Sequence, residues 1–370
     1  MDSSKLDRTL MHVPTTMRAM LTTGHGGLDK LSYRTNVPTP IPGPGEVLIK
    51  VAAAGINNTD INTRIGWYSK SVNDATETGG EVGIKNVNAG DASWSGTSLD
   101  FPIIQGADCC GHILSVGEGV ETTRIGQRVI TRTMQANPSD DSAVACWTMG
   151  SECPGAFADF VAVRSSESFA VNCNWSDAEL ASIPCAYSTA EGMLERAKVG
   201  KETVLITGAS GGVGSAAIQL AKRRGARVVA IASAAKHGEV LSFGADEVID
   251  RGEDLLPALG SESVDVVVDL VAGSQFPNLI NVIKRGGRYV ASGAIGGPIV
   301  NLDVRDLYLK DLSLFGSTFQ PITVFQNLIT YIERGEIRPL VAKTYRLMDM
   351  AQAQSDFLTK KYAGKLVLIP

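Results

Sequence analysis

The fold turns on residues 204–214, VLITGASGGVG. Val204–Thr207 is a short β-branched run, and Gly208-Ala209-Ser210-Gly211-Gly212-Val213-Gly214 follows it directly. From Gly212 to Arg224 the small and apolar residues Val213, Ala216, Ala217, Leu220 and Ala221 recur at helical spacing. A strand, a glycine turn and a helix in that order bring free backbone N–H groups and the positive end of a helix to one point, where a pyrophosphate rests. A glycine cluster alone is weak evidence, and its flanks give it weight.

Downstream, strand and helix alternate strictly. Strands are expected at Val228–Ala232, Glu247–Ile249, Val264–Val271, Arg288–Ala291 and Leu312–Phe315, with helices at Lys236–Phe243, stopped by Gly244, and around Phe276–Ile283. Val264–Val271 is almost wholly apolar, as a strand buried on both faces must be. With Val204–Thr207 this makes six strands with crossover helices, an α/β doubly wound parallel sheet that binds a dinucleotide. Upstream of about residue 185 the pattern differs. Met17–Leu21, VLIKV (47–51), HILSV (112–116), RVIT (128–131) and ADFVAV (158–163) alternate with Gly/Pro turns, which reads as a barrel-like β unit. Helix Val324–Arg334, strand Ala342–Arg346, helix Met350–Thr359 and the run Gly364–Ile369 have no place in a six-strand sheet. They are predicted to return to the first unit, giving one domain of residues 1–186 with 321–370 and another of 187–320. Ser71–Leu99 is polar, glycine-rich and without period, either a lid or a surface insertion.

Composition narrows the functional classes. The chain has 370 residues, is 44% hydrophobic and carries a net charge of −5, which excludes a disordered protein. Its 34 basic and 39 acidic residues offer no electrostatic footprint for nucleic acid or an anionic membrane. The opening residues lack a signal-peptide core, residues 1–16 read as a polar leader, and no window approaches a membrane helix, so a cytoplasmic protein is expected. The six cysteines include no C-x2-C pair, which argues against a zinc knuckle. They read as reduced core residues, with Cys146 and Cys153 close enough in sequence to meet. The 39 glycines, about 10% of the chain, exceed the usual ~7% and must serve turns and ligand loops.

The choice of dinucleotide is read at the end of the second strand of the sheet. Ala230-Ile231-Ala232-Ser233-Ala234-Ala235-Lys236 contains no acid to bond a ribose 2′-hydroxyl, whereas Ser233 and Lys236 suit a 2′-phosphate. NADP is expected over NAD. Ala209, Ser210, Gly211, Gly212, Val213 and Gly214 are the other cofactor residues.

At this point the chain resembles the medium-chain dehydrogenase/reductase superfamily, closest to its zinc-free quinone oxidoreductase and enoyl reductase branch. The resemblance rests on GPGEVLIKVAAAGINNTD, GADCCGHILSVGEGV, GQRV, CAYSTAEG, ITGASGGVG, RGGRYVASG and GKLVL, and covers residues 17–370 apart from the 71–99 segment. It implies a GroES-like β domain beside a Rossmann domain, an active site between them, and a homodimer through the sheet edge at Leu312–Phe315. Where zinc-dependent members carry Cys, His and a second Cys as ligands, this chain has Asn57, Ala107 and Cys185, with Asp108 at the neighbouring Glu position. Ala107 supplies no donor, so no metal ligands are expected.

The resemblance gives Asn57 a role in orienting cofactor or substrate carbonyl, Thr59 a proton-relay hydroxyl, and Tyr68 the place of a tyrosine proton donor. Asp60 is a candidate acid or an anchor of the loop; Trp67 and Trp94 are candidate pocket aromatics. His12, His25, His112 and His237 lack any motif for a general base. The expected activity is NADPH-dependent, zinc-independent hydride transfer to a quinone or an α,β-unsaturated carbonyl. The alternatives are a metal-dependent alcohol dehydrogenase with atypical ligands drawn from Asp108, Cys185 and a neighbouring cysteine, and a non-catalytic NADPH-binding protein.

Overall fold

The computed structural model describes residues 13–137, 145 and 147–370. His12 and Cys146, and with Cys146 the considered pairing to Cys153, lie outside the described residues. Six parallel strands run in the order Glu247–Asp250, Arg227–Ala232, Thr203–Ile206, Val264–Asp269, Ile283–Ala291, Ser313–Gly316. Alternation along the central strands builds two cores. Val204, Ile206, Val228, Ala230, Val266 and Val268 face one apolar layer, while Leu205, Val229 and Val267 face the other with Phe276 and Leu279 of helix Phe276–Val282. Every crossover and strand expected from the sequence is present, each with boundaries displaced by a few residues at most, apart from Ile283–Ala291, which starts five residues early.

Helix Pro184–Arg196 has no counterpart in the sequence reading. Residues 184–194 are all buried, so no polar face marks a helical period; Pro184 in its first turn is the remaining signal. It packs on helix Gly212–Arg223, and small buried residues on both (Ala186, Ala190, Ala216, Ala217) belong to one core. Helix Ile322–Glu333 also packs on it, through a core that includes Phe325 and Leu328.

The second large sheet has seven strands. Its main path is Ser168–Ala170, Arg128–Thr131, Cys110–Val116, Glu46–Gly55, Lys365–Ile369, Val341–Arg346, with Phe160–Arg164 also paired to Glu46–Gly55. The end of the chain therefore lies inside this sheet, with Val367 opposite Gly55 and Leu368 opposite Ala54. Thr16–Thr22 pairs separately with Leu31–Pro38 and Ile103–Ile104.

Residues 71–99 are folded onto the body. They contain helix Thr76–Gly79 and a 3-10 turn at Ala89–Asp91, and bury Val72, Thr76, Ala92 and Ser93. The fully buried Arg64 links them to the body: its guanidinium donates to Gly80 O within the segment at 2.6 Å, and to Gly26 O at 2.8 Å and Gln354 Oε1 at 2.9 Å outside it. Gly83, at φ +85°, lies so close to Gly26 that a Cβ would stand 2.8 Å from its Cα. Among the described residues no helix is long and apolar enough to cross a membrane.

Candidate active site

The site is built on helix Asn58–Ile65, which the sequence reading treated as loop. The Asn57 N–H donates to Asp60 Oδ2 at 2.8 Å, which caps the first turn, and Gly66 ends the helix at φ +72°. Residues 59–65 are all buried, so again no polar face reveals the period.

At the family's metal position stands a polar cluster closed around an ammonium group. Lys365 Nζ donates to Asn57 Oδ1 at 2.6 Å, Asp108 Oδ2 at 2.8 Å and Ile56 O at 3.0 Å. Asn57 Nδ2 donates to Asp108 Oδ2 at 2.8 Å and Gly55 O at 3.4 Å, and the Cys185 N–H donates to Asp108 Oδ1 at 2.6 Å. Lys365 and Asp108 are both buried, and a Cβ at Gly55 would stand 2.3 Å from Asp108 Oδ2. This donor set does not fit zinc. Ala107 carries no ligand atom, and the Asp108 carboxylate is already paired with the Lys365 ammonium. Among the described residues no three His, Cys, Asp or Glu side chains gather as metal ligands. Both amide hydrogens of Asn57 point at these partners, so the side chain holds Asp108 and Lys365 in place.

Beside the cluster, Tyr68 Oη donates to Thr59 Oγ1 at 3.0 Å. Burial raises the Tyr68 pKa, so the phenol keeps its proton. The ring meets Trp67 edge-on at 5.7 Å and stacks on Trp94 at 5.9 Å, with 12° between planes. Trp67 is fixed by its Nε1–H bond to Asp74 O at 2.8 Å. Asp60, wholly buried one residue on, is pushed up to about 7, chiefly by burial, with the like charge of Asp108 adding to the rise. The structure thus brings Asn57, Thr59, Asp60, Tyr68, Trp67 and Trp94 together. The sequence reading missed Lys365, whose signal is a lysine opening the apolar run LVLI.

The glycine loop has the shape a pyrophosphate requires. Gly208 turns at φ +58°, and a Cβ at Gly214 would stand 2.3 Å from Gly208 O. A Cβ at Gly212 would stand 2.8 Å from Lys365 Cδ, so the lysine stem that ends in the polar cluster crosses the start of this helix. The first N–H groups of helix Gly212–Arg223 have no intrahelical acceptor and are free for an anion. At the strand end Ser233 is half-buried, while Lys236 Nζ donates to Lys360 O at 2.5 Å and Tyr362 O at 3.2 Å, with burial lowering its pKa. Two neighbours escaped the sequence reading. Asp250 receives the N–H groups of Ala234 at 2.6 Å and Gly252 at 2.8 Å, and Arg251 is an exposed cation near Lys236.

Comparison with known proteins gives the family. The alcohol dehydrogenase GroES-like domain family matches residues 43–172, and the zinc-binding dehydrogenase family matches residues 212–334. The chain is 29% identical to the quinone oxidoreductase of Lama guanicoe, over 95% of this chain and 97% of that one. It is 29% identical to an acryloyl-coenzyme A reductase of Metallosphaera sedula, over 95% and 99%. A crystal structure from Sinorhizobium meliloti 1021, provisionally described as an alcohol dehydrogenase, is 45% identical and superposes with a TM-score of 0.87 over 98% of this chain and 99% of that one. With a GroES-like match on the β unit, a dehydrogenase match on the parallel sheet and relatives spanning nearly its whole length, the chain belongs to the medium-chain dehydrogenase/reductase superfamily.

Proposed function

We propose that this protein is an NADPH-dependent, zinc-independent reductase that transfers a hydride to a quinone or to the activated C=C bond of an α,β-unsaturated carbonyl. The observation that carries the reading is the pairing of a protonated Tyr68–Thr59 hydroxyl couple with a lysine-centred cluster where a metal would have to be. The relatives named quinone oxidoreductase and acryloyl-coenzyme A reductase support the same substrate class. NADPH, when bound, supplies the hydride. Reducing an electron-poor carbon needs no Lewis acid, only a donor for the charge that develops on oxygen. Thr59 provides that donor, its proton is replaced from Tyr68, whose Oη already donates to it, and the half-buried Tyr68 is reprotonated from solvent. Asn57 acts by holding Asp108, and Asp60 by capping the helix that carries Thr59. Gly208–Gly214 cradle the pyrophosphate, and Ser233 and Lys236, joined by Arg251, receive the 2′-phosphate. The domains divide at residues 1–186 with 321–370, and 187–320. The protein works as a homodimer through the edge strand Ser313–Gly316.

The test is steady-state NADPH oxidation by protein stripped of metal with a chelator, offered cyclohex-2-enone and 9,10-phenanthrenequinone. Turnover persists after stripping, and kcat/KM for NADPH exceeds that for NADH by at least about tenfold, as expected for loss of a charge-assisted contact. Tyr68→Phe lowers kcat by about 100-fold. Activity that vanishes on stripping and returns with zinc overturns the reading.

A further inference from the structure

We propose that Asn62 and Thr76 are positioning residues of the reduction, which set the direction of a hydrogen-bond chain so that the Tyr68 proton points at Thr59. The proposal rests on the reductase reading above, and it gives segment 71–99 a part in the reaction.

The chain is built from two stretches of sequence. Thr59 and Asn62 are three residues apart on helix Asn58–Ile65, which puts both side chains on one face. Tyr68 folds back from beyond the helix end, and its Oη donates to Thr59 Oγ1 at 3.0 Å. The Trp67 N–H donates to Asn62 O at 2.9 Å, so the turn that carries Tyr68 is itself tied to Asn62. Thr76, at the start of helix Thr76–Gly79, donates from Oγ1 to Asn62 Oδ1 at 3.0 Å. Arg64, two residues beyond Asn62, holds Gly80 O at the other end of that short helix at 2.6 Å, so one element fixes Thr76 from both sides. Asn62 is 5% exposed and Thr76 1%, and water does not compete for either side chain.

A side-chain amide has one acceptor end and one donor end. Thr76 occupies the acceptor end of Asn62, which leaves the donor end for the Tyr68 hydroxyl. Burial raises the Tyr68 pKa, and hydrogen bonds with the side chains of Thr59 and Asn62 offset part of the rise. A donor on the phenol oxygen leaves the Tyr68 proton Thr59 Oγ1 as its acceptor. Thr59 must then turn its own proton outward, toward the oxygen that gains charge. With the amide reversed, Asn62 would offer Tyr68 its oxygen and draw the proton away from Thr59. Asn62 thus acts through Tyr68, and Thr76 through Asn62.

The test is a double-mutant cycle on the reduction of cyclohex-2-enone by NADPH. Thr76→Val removes the hydroxyl and keeps the branched shape. With Tyr68 present it lowers kcat by about fivefold, the scale of one lost hydrogen bond, at unchanged KM for NADPH. In the Tyr68→Phe background it lowers kcat no further, because no phenol is left to aim. Thr76→Ser keeps the hydroxyl and restores kcat. An equal fall in both backgrounds, no fall in either, or a serine variant as slow as the valine one overturns the proposal. A second readout needs no turnover. In protein carrying carbon-13 at tyrosine Cζ, the Tyr68 resonance, identified by its loss in Tyr68→Phe, moves in Thr76→Val and returns in Thr76→Ser. A resonance indifferent to Thr76 also overturns the proposal. A wild type whose Tyr68 resonance answers to Thr76, yet which oxidises NADPH with neither the enone nor 9,10-phenanthrenequinone, refutes the reductase reading alone.

Discussion

Asp60 shows how one carboxyl can be both anchor and burden. It caps helix Asn58–Ile65 through the Asn57 N–H, yet full burial moves its pKa from 3.8 to about 7. The folded protein therefore keeps a proton on Asp60 that the unfolded chain releases. Its contribution is fully present below pH 3.8, falls as pH rises between the two values, and levels off above about 7. At about 1.4 kcal/mol per pKa unit the loss is about 4 kcal/mol. Asp60→Asn keeps an acceptor for the Asn57 N–H without the charge. Denaturant unfolding from pH 4 to 8 should show the variant gaining on wild type as pH rises, and parallel curves would refute this account. At this scale the sequence is informative where a residue acts with its neighbours: Asn57, Thr59, Asp60 and Tyr68 lie within twelve residues and meet in space. Lys365 was illegible because its partner Asn57 is 308 residues away.

Among the helices, those with a polar face were readable and those without were not, whereas strand Val264–Asp269 was legible because it is apolar on both faces. Helix Gly212–Arg223 announces itself by apolar residues recurring at helical spacing, whereas helices Asn58–Ile65 and Pro184–Arg196 are buried nearly all round and offer no period. The segment 71–99 has no period either, because it is held by single contacts to the body. Arg64, through Gly80 O, is one of these. Arg64→Met keeps the apolar stem but strips donors from Gly26 O, Gly80 O and Gln354 Oε1. Destabilisation of about 3 kcal/mol is expected, since three buried acceptors lose their partner. Limited proteolysis should then cut within residues 71–99 of the variant sooner than in wild type. An unchanged cleavage pattern would show that the segment is held by something else.

On the scale of the whole molecule, the parallel sheet ends in an open edge. Strand Ser313–Gly316 pairs on one side only, and Leu314 remains 37% exposed, with Val304 and Tyr308 of the preceding helix each 60% exposed. An uncharged apolar edge of this kind invites pairing with its own copy. Leu314→Arg should shift the mass measured by light scattering from twice the 39.1 kDa chain to a single chain. A monomeric wild type would remove the dimer.

The strand Lys365–Ile369 lies between Glu46–Gly55 and Val341–Arg346, so the β unit is completed by two stretches separated by the whole parallel sheet. In the parallel sheet, by contrast, four of the five pairings join strands consecutive in the chain, the exception being Thr203–Ile206 with Val264–Asp269. Short loops close at lower entropic cost than long ones. Loop closure therefore predicts that the nucleotide-binding half forms early in refolding and the Asn57–Asp108–Lys365 cluster late, an order that pulse-labelled hydrogen exchange would show or refute. A chain that has gained its dinucleotide pocket is still one step short of being a catalyst.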